Sequence, residues 1–486
     1  MVTTKTKRPE GSRKLYVGGQ WVDSMSTSEI PMINPATEKV FAHAPDTTTK
    51  DADRAVAAAR RAFDEGPWPH MPVSERIACL QRVADLYTGS VEEIANLITA
   101  EIGSPITFSM RAQAPIAKMM LDYYIALAKD YPFEEEREGR SLPARVIKEP
   151  VGVAVAIAPW NFPHVAMMLK LAPALLAGCT VVAKPGPETA QDAMVMAELF
   201  DAAGFPPGVV SILPAGREVG EHLVSHRDVD HVSFTGSTAA GRRVGEICGR
   251  DLRRCNLELG GKSALIMLDD VDMAKAVQGV AGNSMRNSGQ ACTNQTRILV
   301  PRSRYDEAVD AICQLVKSFP VGDPMDPNTA IGPVATKAQR ERVETYIRVA
   351  KDEGAKTALG GGRPKGLSTG YYVEPTVFVN VDNSMRIARE EVFGPVLVVI
   401  PFEDDADAVR IANDSEYGLA GGVWSNDPKR AEAVARRMRS GMIHVNGAGG
   451  SFDAPFGGYK ASGIGRESGR EGLETYFEYK SLPLIR

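Results

Sequence analysis

The chain has 486 residues, enough for about two to four domains, with 44% hydrophobic and 24% charged side chains. That balance belongs to an ordinary folded protein and excludes a disordered, collagenous or coiled-coil one. Fifty-six Lys and Arg against 61 Asp and Glu leave a net charge of −5, so no bulk cationic field draws nucleic acid or an anionic membrane. Six cysteines without a CxxC spacing argue against a disulfide scaffold and a zinc site, and fit a reducing, cytoplasmic compartment.

The basic residues Lys5, Lys7, Arg8, Arg13 and Lys14 have no apolar segment behind them, so they read as a solvated tail and not a secretory signal. From about 51 to 130 the pattern is helical: Ser74 precedes Ile77, Leu80, Ala84 and Tyr87 at three-and-four spacing, and Gly103-Ser104-Pro105 separates two runs. Residues 133–150, with three consecutive glutamates from Glu134, a turn at Gly139 and then Ala144 to Ile147, predict a projecting β-hairpin. The apolar stretches 151–159 and 171–183 fall short of the roughly 18 residues a bilayer span needs, and the second contains Pro173.

Strand and helix then alternate. Strands are expected at 151–158, 180–183, 208–213 and 231–235, with Thr189 capping a helix whose Ala193, Met196, Ala197 and Phe200 share a face. A second alternation starts at 264–268 and runs past 440, with glycine-rich loops at 359–362 and 447–450. Such alternation predicts two doubly wound α/β domains, whose ligands sit at the carboxyl ends of parallel strands. The expected division is one α/β domain at 1–132 and 151–262, a second at 263–470, and a small β arm at 133–150 and 471–486.

The dinucleotide fingerprint GxGxxG is absent. In its place the strand ending at Phe234 runs into Thr235-Gly236-Ser237-Thr238-Ala239-Ala240-Gly241, a small-residue helix entry whose bare N–H groups suit a pyrophosphate. A tight turn with no ligand explains this motif equally well. Cys292, in Gly289-Gln290-Ala291-Cys292-Thr293, is set among small and polar residues where a packed cysteine would have apolar neighbours, and a thiol with a base nearby is a nucleophile. Glu258, at the end of a buried-looking strand, is a candidate base with a raised pKa; the alternative is an ion pair with Lys262. Asn161, in Pro159-Trp160-Asn161-Phe162-Pro163, falls at the ligand edge as an oxyanion donor or simply as a turn asparagine.

These elements, in this order, resemble the aldehyde dehydrogenase superfamily. The resemblance runs from Asn34-Pro35-Ala36-Thr37 to the tail. It includes Lys184-Pro185, Glu391-Val392-Phe393-Gly394-Pro395-Val396 and Pro455-Phe456-Gly457-Gly458-Tyr459-Lys460, then Ser462-Gly463-Ile464-Gly465-Arg466-Glu467. It implies that Cys292 attacks an aldehyde carbonyl, that Asn161 and the Cys292 N–H hold the oxyanion, and that hydride leaves to a nicotinamide, giving a thioester. Glu258 would activate the water that releases the acid, with Lys170 and Glu467 in proton transfer and site organisation. Around NAD, with NADP possible, the resemblance places Pro159, Trp160, Lys184, Pro187, Gly216, Gly220, Phe234, Gly236, Ser237, Ala240, Leu259, Gly260, Glu391 and Phe393. It implies a small aldehyde as substrate, no metal, no nucleic acid or membrane, and a homodimer or homotetramer built through the arm.

Two departures bear on specificity. Many NAD-using relatives place a glutamate three positions past the lysine, where it repels a 2′-phosphate; here that position is Pro187, followed by Glu188. The loop Gly447-Ala448-Gly449-Gly450-Ser451-Phe452 has few side chains to narrow the aldehyde mouth, which predicts medium or branched, mostly apolar aldehydes. Arg286 stands where relatives often carry an aromatic; it reads as a solvent-facing helix residue, or else as a contact for the anionic tail of a semialdehyde. The rivals are a cofactor-free thiol esterase or acyl-transfer enzyme and a redox-dead member that keeps only the fold.

Overall fold

The computed structural model describes residues 14–138 and 142–484. Most of the basic tail, the Gly139 turn and Ile485 lie outside the described residues.

The first of two large sheets has eight strands, in the order Gln20–Asp23, Lys14–Val17, Val210–Ile212, Thr180–Lys184, Val153–Ile157, His231–Thr235, Arg254–Glu258 and Gly463–Ile464. Its central five are parallel, and the chain order reverses at Val153–Ile157. That reversal is the switch point of a doubly wound sheet, where the crevice for a ligand opens. The two-residue parity of the strands divides the core: Ala154 and Ala156 pack on one face, Val153, Val155 and Ile157 on the other. The small alanines admit the helix Pro163–Ala177, which is apolar all round and buried along nearly its whole length. Its Leu171, Leu175 and Leu176 are fully buried, each worth roughly 1.5–3 kcal/mol.

The second sheet has seven strands, in the order Lys356–Leu359, Thr376–Val379, Val396–Phe402, Arg297–Pro301, Ala264–Met267, Ala420–Trp424 and Met442–Val445, parallel apart from the first. Here too alternation splits the core, with Ile266 and Leu299 on one face and Leu265 and Ile298 on the other. The chain passes from one sheet to the other between Glu258 and Ala264, leaving the first at a carboxyl end and entering the second at an amino end. These two edges therefore face each other.

A third sheet of three strands, Phe477–Pro483, Ala144–Pro150 and Glu134–Arg137, forms the arm. Phe477 anchors it, stacked on Tyr131 at 5.7 Å with Phe133 edge-on at 5.6 Å, while Tyr479 and Leu482 stay exposed. No helix among the described residues is long and apolar enough to cross a membrane.

Three expectations need correction. Gly463–Ile464, expected in the second unit, pairs with Leu257 and Glu258 in the first sheet, because the chain returns across the inter-sheet edge. The arm strand starts only at Phe477; the preceding Gly469–Glu474 is a short helix. Thr189 stands at the start of the helix Ala190–Ala203 but makes no side-chain cap, since a 3-10 turn ahead of it holds its backbone out of the extended geometry. Glu101 from a distant helix takes the role instead, accepting from the Gln191 N–H at 2.8 Å.

Gly463 has φ +140°, and a Cβ there would lie 1.9 Å from the Leu257 carbonyl oxygen, whereas Gly449 has nothing within 4 Å. Gly463→Ala is expected to destabilise the fold by about 1–3 kcal/mol and Gly449→Ala by less than about 0.5 kcal/mol, read as thermal-midpoint shifts on the same protein background.

Candidate active site

The facing edges enclose a cleft of about 260 Å³ whose walls include Asn161, Cys292, Glu391, Phe393 and the Thr235-Gly236-Ser237 turn. The loop carrying Cys292 is bent into place by left-handed residues. Asn287 has φ 54°, Ser288 φ 55° and Gly289 φ 80°, conformations that cost a non-glycine residue about 1–2 kcal/mol. Hydrogen bonds offset that cost. Asn287 Nδ2 donates to the Asn161 carbonyl at 2.9 Å, Ser288 Oγ accepts from the Gly332 N–H at 3.0 Å, and Gln290 Oε1 accepts from the Ala335 N–H at 2.9 Å. Asn161 Nδ2 in turn donates to the Gln290 carbonyl at 3.0 Å. Asn161 and the cysteine loop thus hold each other across the two sheets, and one Asn161 N–H is left over.

Cys292 sits where burial, then Glu391 and Glu258, push its thiol up to about 12. Glu258 ends the strand Arg254–Glu258 and is 2% exposed, with both carboxylate oxygens buried and without a hydrogen-bond partner. Burial first, and Glu467 second, raise its pKa well above the usual carboxylate range, against the pull of Lys170 and Arg466. The expected alternative, an ion pair with Lys262, is absent. Lys262 is buried towards Arg297, Glu391 and Glu390, and burial lowers it to about 7. Two glycines make room for these carboxylates: a Cβ on Gly457 would stand 2.6 Å from Glu258 Oε1, and one on Gly260 2.6 Å from Glu391 Oε2.

Behind Glu258, Lys170 is the one lysine in the buried helix Pro163–Ala177, and its Nζ contacts Glu467 Oε1 and donates to Thr235 Oγ1 at 2.6 Å. Lys170 and Glu467 are 0% and 3% exposed, so each is the other's compensation for burial.

The residues expected around a dinucleotide fall in two adjoining cavities. Pro159, Trp160, Gly236, Ser237, Leu259, Gly260, Glu391 and Phe393 line the first. Lys184, Pro187, Gly216, Gly220, Phe234 and Ala240 line a second of about 410 Å³ that shares Pro159, Trp160 and the Gly236-Ser237 turn with it. Ser237 caps the helix Thr238–Arg250 by accepting from the Ala240 N–H, leaving that helix's positive end at the cavity wall. Lys184 is buried, donates to the carbonyls of Ala215 at 2.6 Å and Pro185 at 3.2 Å, and is lowered by burial to about 8. Glu391 Oε1 accepts from the Gly261 N–H at 3.0 Å, and Trp160 meets Phe393 edge-on at 5.5 Å.

Three side chains depart from, or were missed by, the sequence reading. Arg286 does not face solvent. The left-handed turn that follows it folds it inward, where Nη2 donates to Thr293 Oγ1 at 2.9 Å and Nε is buried without a partner. Gln339 and Arg342 line the cleft from the helix Lys337–Asp352 and were not anticipated. Gln339 Nε2 donates to the Phe393 carbonyl at 2.7 Å and Arg342 Nη2 to the Glu391 carbonyl, so both brace the Glu391 segment. Only their spacing on one face of an amphipathic helix marks them, and any surface helix shows the same.

Comparison with known proteins identifies the family. The Aldehyde dehydrogenase family model matches residues 21–482. A geranial dehydrogenase from Castellaniella defragrans is 45% identical over 97% of this chain and 98% of its own length. A 3-succinoylsemialdehyde-pyridine dehydrogenase from a Pseudomonas species is 44% identical, again over 97% and 98%. Among solved structures, a Mycobacterium tuberculosis aldehyde dehydrogenase complexed with NAD+ superposes with a TM-score of 0.96 at 45% identity, covering 98% of each chain. A C291A mutant of aldehyde dehydrogenase C from Pseudomonas syringae, complexed with NAD+ and octanal, gives 0.94 at 40% identity, covering 99% of this chain and 98% of its own. With a match along nearly its whole length and catalytic-type residues gathered at one inter-sheet cleft, the chain belongs to the aldehyde dehydrogenase family.

Proposed function

We propose that this aldehyde dehydrogenase works through Cys292 as nucleophile, Asn161 as oxyanion donor and Glu258 as base, with NAD as its cofactor. The mutual hydrogen bonding of Asn161 and the Cys292 loop, beside a carboxylate left unpaired, carries this reading.

A thiol near 12 rests protonated, so attack requires a base, and the raised, unpartnered Glu258 suits that task near neutral pH. Once ionised, Glu258 removes the proton as Sγ bonds to the aldehyde carbon. The oxygen gains charge and takes the spare Asn161 N–H and the Cys292 backbone N–H. NAD supplies the acceptor for the hydride that leaves the tetrahedral carbon. Glu258 then gives that proton up to solvent, deprotonates the water that opens the Cys292 thioester and returns the proton to the departing thiolate, while Lys170, held by Glu467 and Thr235, acts on Glu258 through charge alone.

The chain's own residues fit the cofactor. Glu391, fixed by the Gly261 N–H, offers a carboxylate to ribose hydroxyls, Lys184 has a third donor beyond its two carbonyl bonds, and the Ser237-capped helix end suits the pyrophosphate. Pro187 takes the place of the usual carboxylate, but Glu188 brings one to the same cavity wall beside Lys184, which disfavours a 2′-phosphate and makes NADP the weaker cofactor. Related structures containing NAD+ support the order of preference.

The substrate is a medium or branched, mostly apolar aldehyde. The exposed glycine-rich stretch at 447–450 supports this, as do relatives named for geranial and bound to octanal. A second reading, an aldehyde with an anionic tail, is favoured by Arg286, a half-buried side chain whose Nε is buried without a partner and whose charge acts on Cys292. A cofactor-free esterase role leaves the Lys184 and Glu391 cavities without a purpose. The open edges of the arm support a homodimer or homotetramer, and six free thiols, Cys292 among them, support a reducing cytoplasm.

Asn161→Ala is expected to lower kcat about 10²–10³-fold with little change in KM, measured by NADH formation at 340 nm. The acid limb of kcat/KM should lie well above the ordinary carboxylate range, since activity needs ionised Glu258. Because its folded value exceeds its unfolded one, ionising Glu258 weighs against the fold as pH rises. Glu258→Gln should therefore melt at a higher temperature than the wild type at about pH 8, where it also loses activity, and at the same temperature near pH 4. On an aldehyde panel, octanal and branched enals should exceed acetaldehyde in kcat/KM, with NAD preferred to NADP. A more than about tenfold preference for ω-carboxylated aldehydes, abolished by Arg286→Ala, would establish the second reading instead.

A further inference from the structure

Two cysteines away from the active site meet for a reason visible in the packing. The helix Thr238–Arg250 lies on the strand Arg254–Glu258 with glycines at the interface. A Cβ on Gly241 would stand 2.3 Å from Leu259 Cδ2, and one on Gly245 would stand 3.5 Å from Leu257 Cδ1. The next residue on that helix face is Cys248, and the next inward residue on the strand side is Cys255. Helix positions 241, 245 and 248 thus descend in step with strand-side positions 259, 257 and 255. The intervening turn is tight: the Arg253 N–H donates to the Cys248 carbonyl at 2.8 Å, and Leu252 adopts φ 53°. The two side chains meet in the same apolar cluster, with Cys248 fully buried and Cys255 partly open. Each thiol is the largest influence on the other's acidity: Cys248 lowers Cys255 to about 7 and is itself raised in exchange.

We propose that Cys248 and Cys255 form a hydroperoxide-reactive dithiol that closes reversibly to an intramolecular disulfide, separate from the chemistry of Cys292. The partly open Cys255 thiolate attacks the peroxide; an S–O bond forms, the O–O bond breaks, and the leaving hydroxide takes a proton and departs as water. The Cys248 sulfur then attacks the Cys255 sulfenic acid, forming S–S, breaking S–O and releasing a second water with the Cys248 proton. The two thiols lose two electrons and the peroxide gains them. A thiol reduces the bond back. The pair lies towards the amino end of the strand that ends at Glu258, so the staple does not cross the cleft.

The fate of each thiol can be followed by mass. Trypsin cuts after Arg243, Arg250, Arg254 and Lys262, leaving Cys248 and Cys255 on separate peptides, 244–250 and 255–262. Full-length protein treated with a modest excess of hydrogen peroxide, then alkylated and digested without reductant, should yield these two peptides joined and two hydrogens lighter than their sum. Dithiothreitol should abolish the joined species. In Cys248→Ser, Cys255 should instead be trapped as sulfenic acid by dimedone. Recovery of both peptides singly alkylated, or of Cys255 joined to any other cysteine, would overturn the proposal. The wild-type readout needs no variant, so it stands even if Cys248→Ser fails to fold.

Discussion

The site depends on a five-residue crossing, 259–263, from the carboxyl edge of one parallel sheet to the amino edge of another. Glu258 is the last residue of its strand and Gly261 packs against the Cys292 carbonyl, where a Cβ would stand only 2.6 Å away. The relation between Glu258 and Cys292, the proposed base and nucleophile, is therefore set by backbone and sheet register, with little left to flexible side chains. The Asn161 bonds to the cysteine loop close the same junction from the other side. A misplacement of about 1 Å at such a junction is worth roughly two orders of magnitude in rate, which gives the unusual backbone at Asn287 and Ser288 its physical justification.

Burial at that junction has an electrostatic consequence. Cys292, Glu258 and Glu391 are three acidic groups in one poorly hydrated region, and each raises the others or is raised by burial itself. With its thiol pushed up to about 12, Cys292 rests protonated and does not present a standing thiolate to adventitious electrophiles. The nearest buried cation, Lys170, is already committed to Glu467 and Thr235. It moderates Glu258 without ion-pairing with it, so its charge offsets part of the rise that burial and Glu467 cause.

Much of this was legible in the sequence, because it is written in local pattern. The strand parity of Val153–Ile157, the small-residue helix entry after Phe234 and the polar setting of Cys292 each follow from neighbours a few positions away. What stayed hidden depends on contacts between distant segments. Lys170 and Glu467 are 297 positions apart, and only the family resemblance named them together, since neither carries a local sign of the other. Glu101 capping the helix that Thr189 was expected to cap is a tertiary substitution for a local rule. Arg286 illustrates the hardest case: its neighbours suggest a surface helix, and only the left-handed pair after it turns the guanidinium inward.

The same packing links the cofactor cradle to the dithiol. To bring the Ser237-capped end of its helix beside the strand end that carries Glu258, the helix must approach the strand closely, and Gly241 and Gly245 permit this. A helix so close cannot diverge within the two turns that follow, so whatever occupies position 248 is driven onto position 255. With alanine or valine there, the contact would be ordinary apolar packing worth about 1 kcal/mol or so per methyl-sized group. With cysteine at both, the approach that sets the capped helix end at the cavity wall also creates a sulfur pair. The helix is thirteen residues long, about 20 Å by its rise per residue, which separates that capped end from the sulfur pair while keeping both on one rigid element.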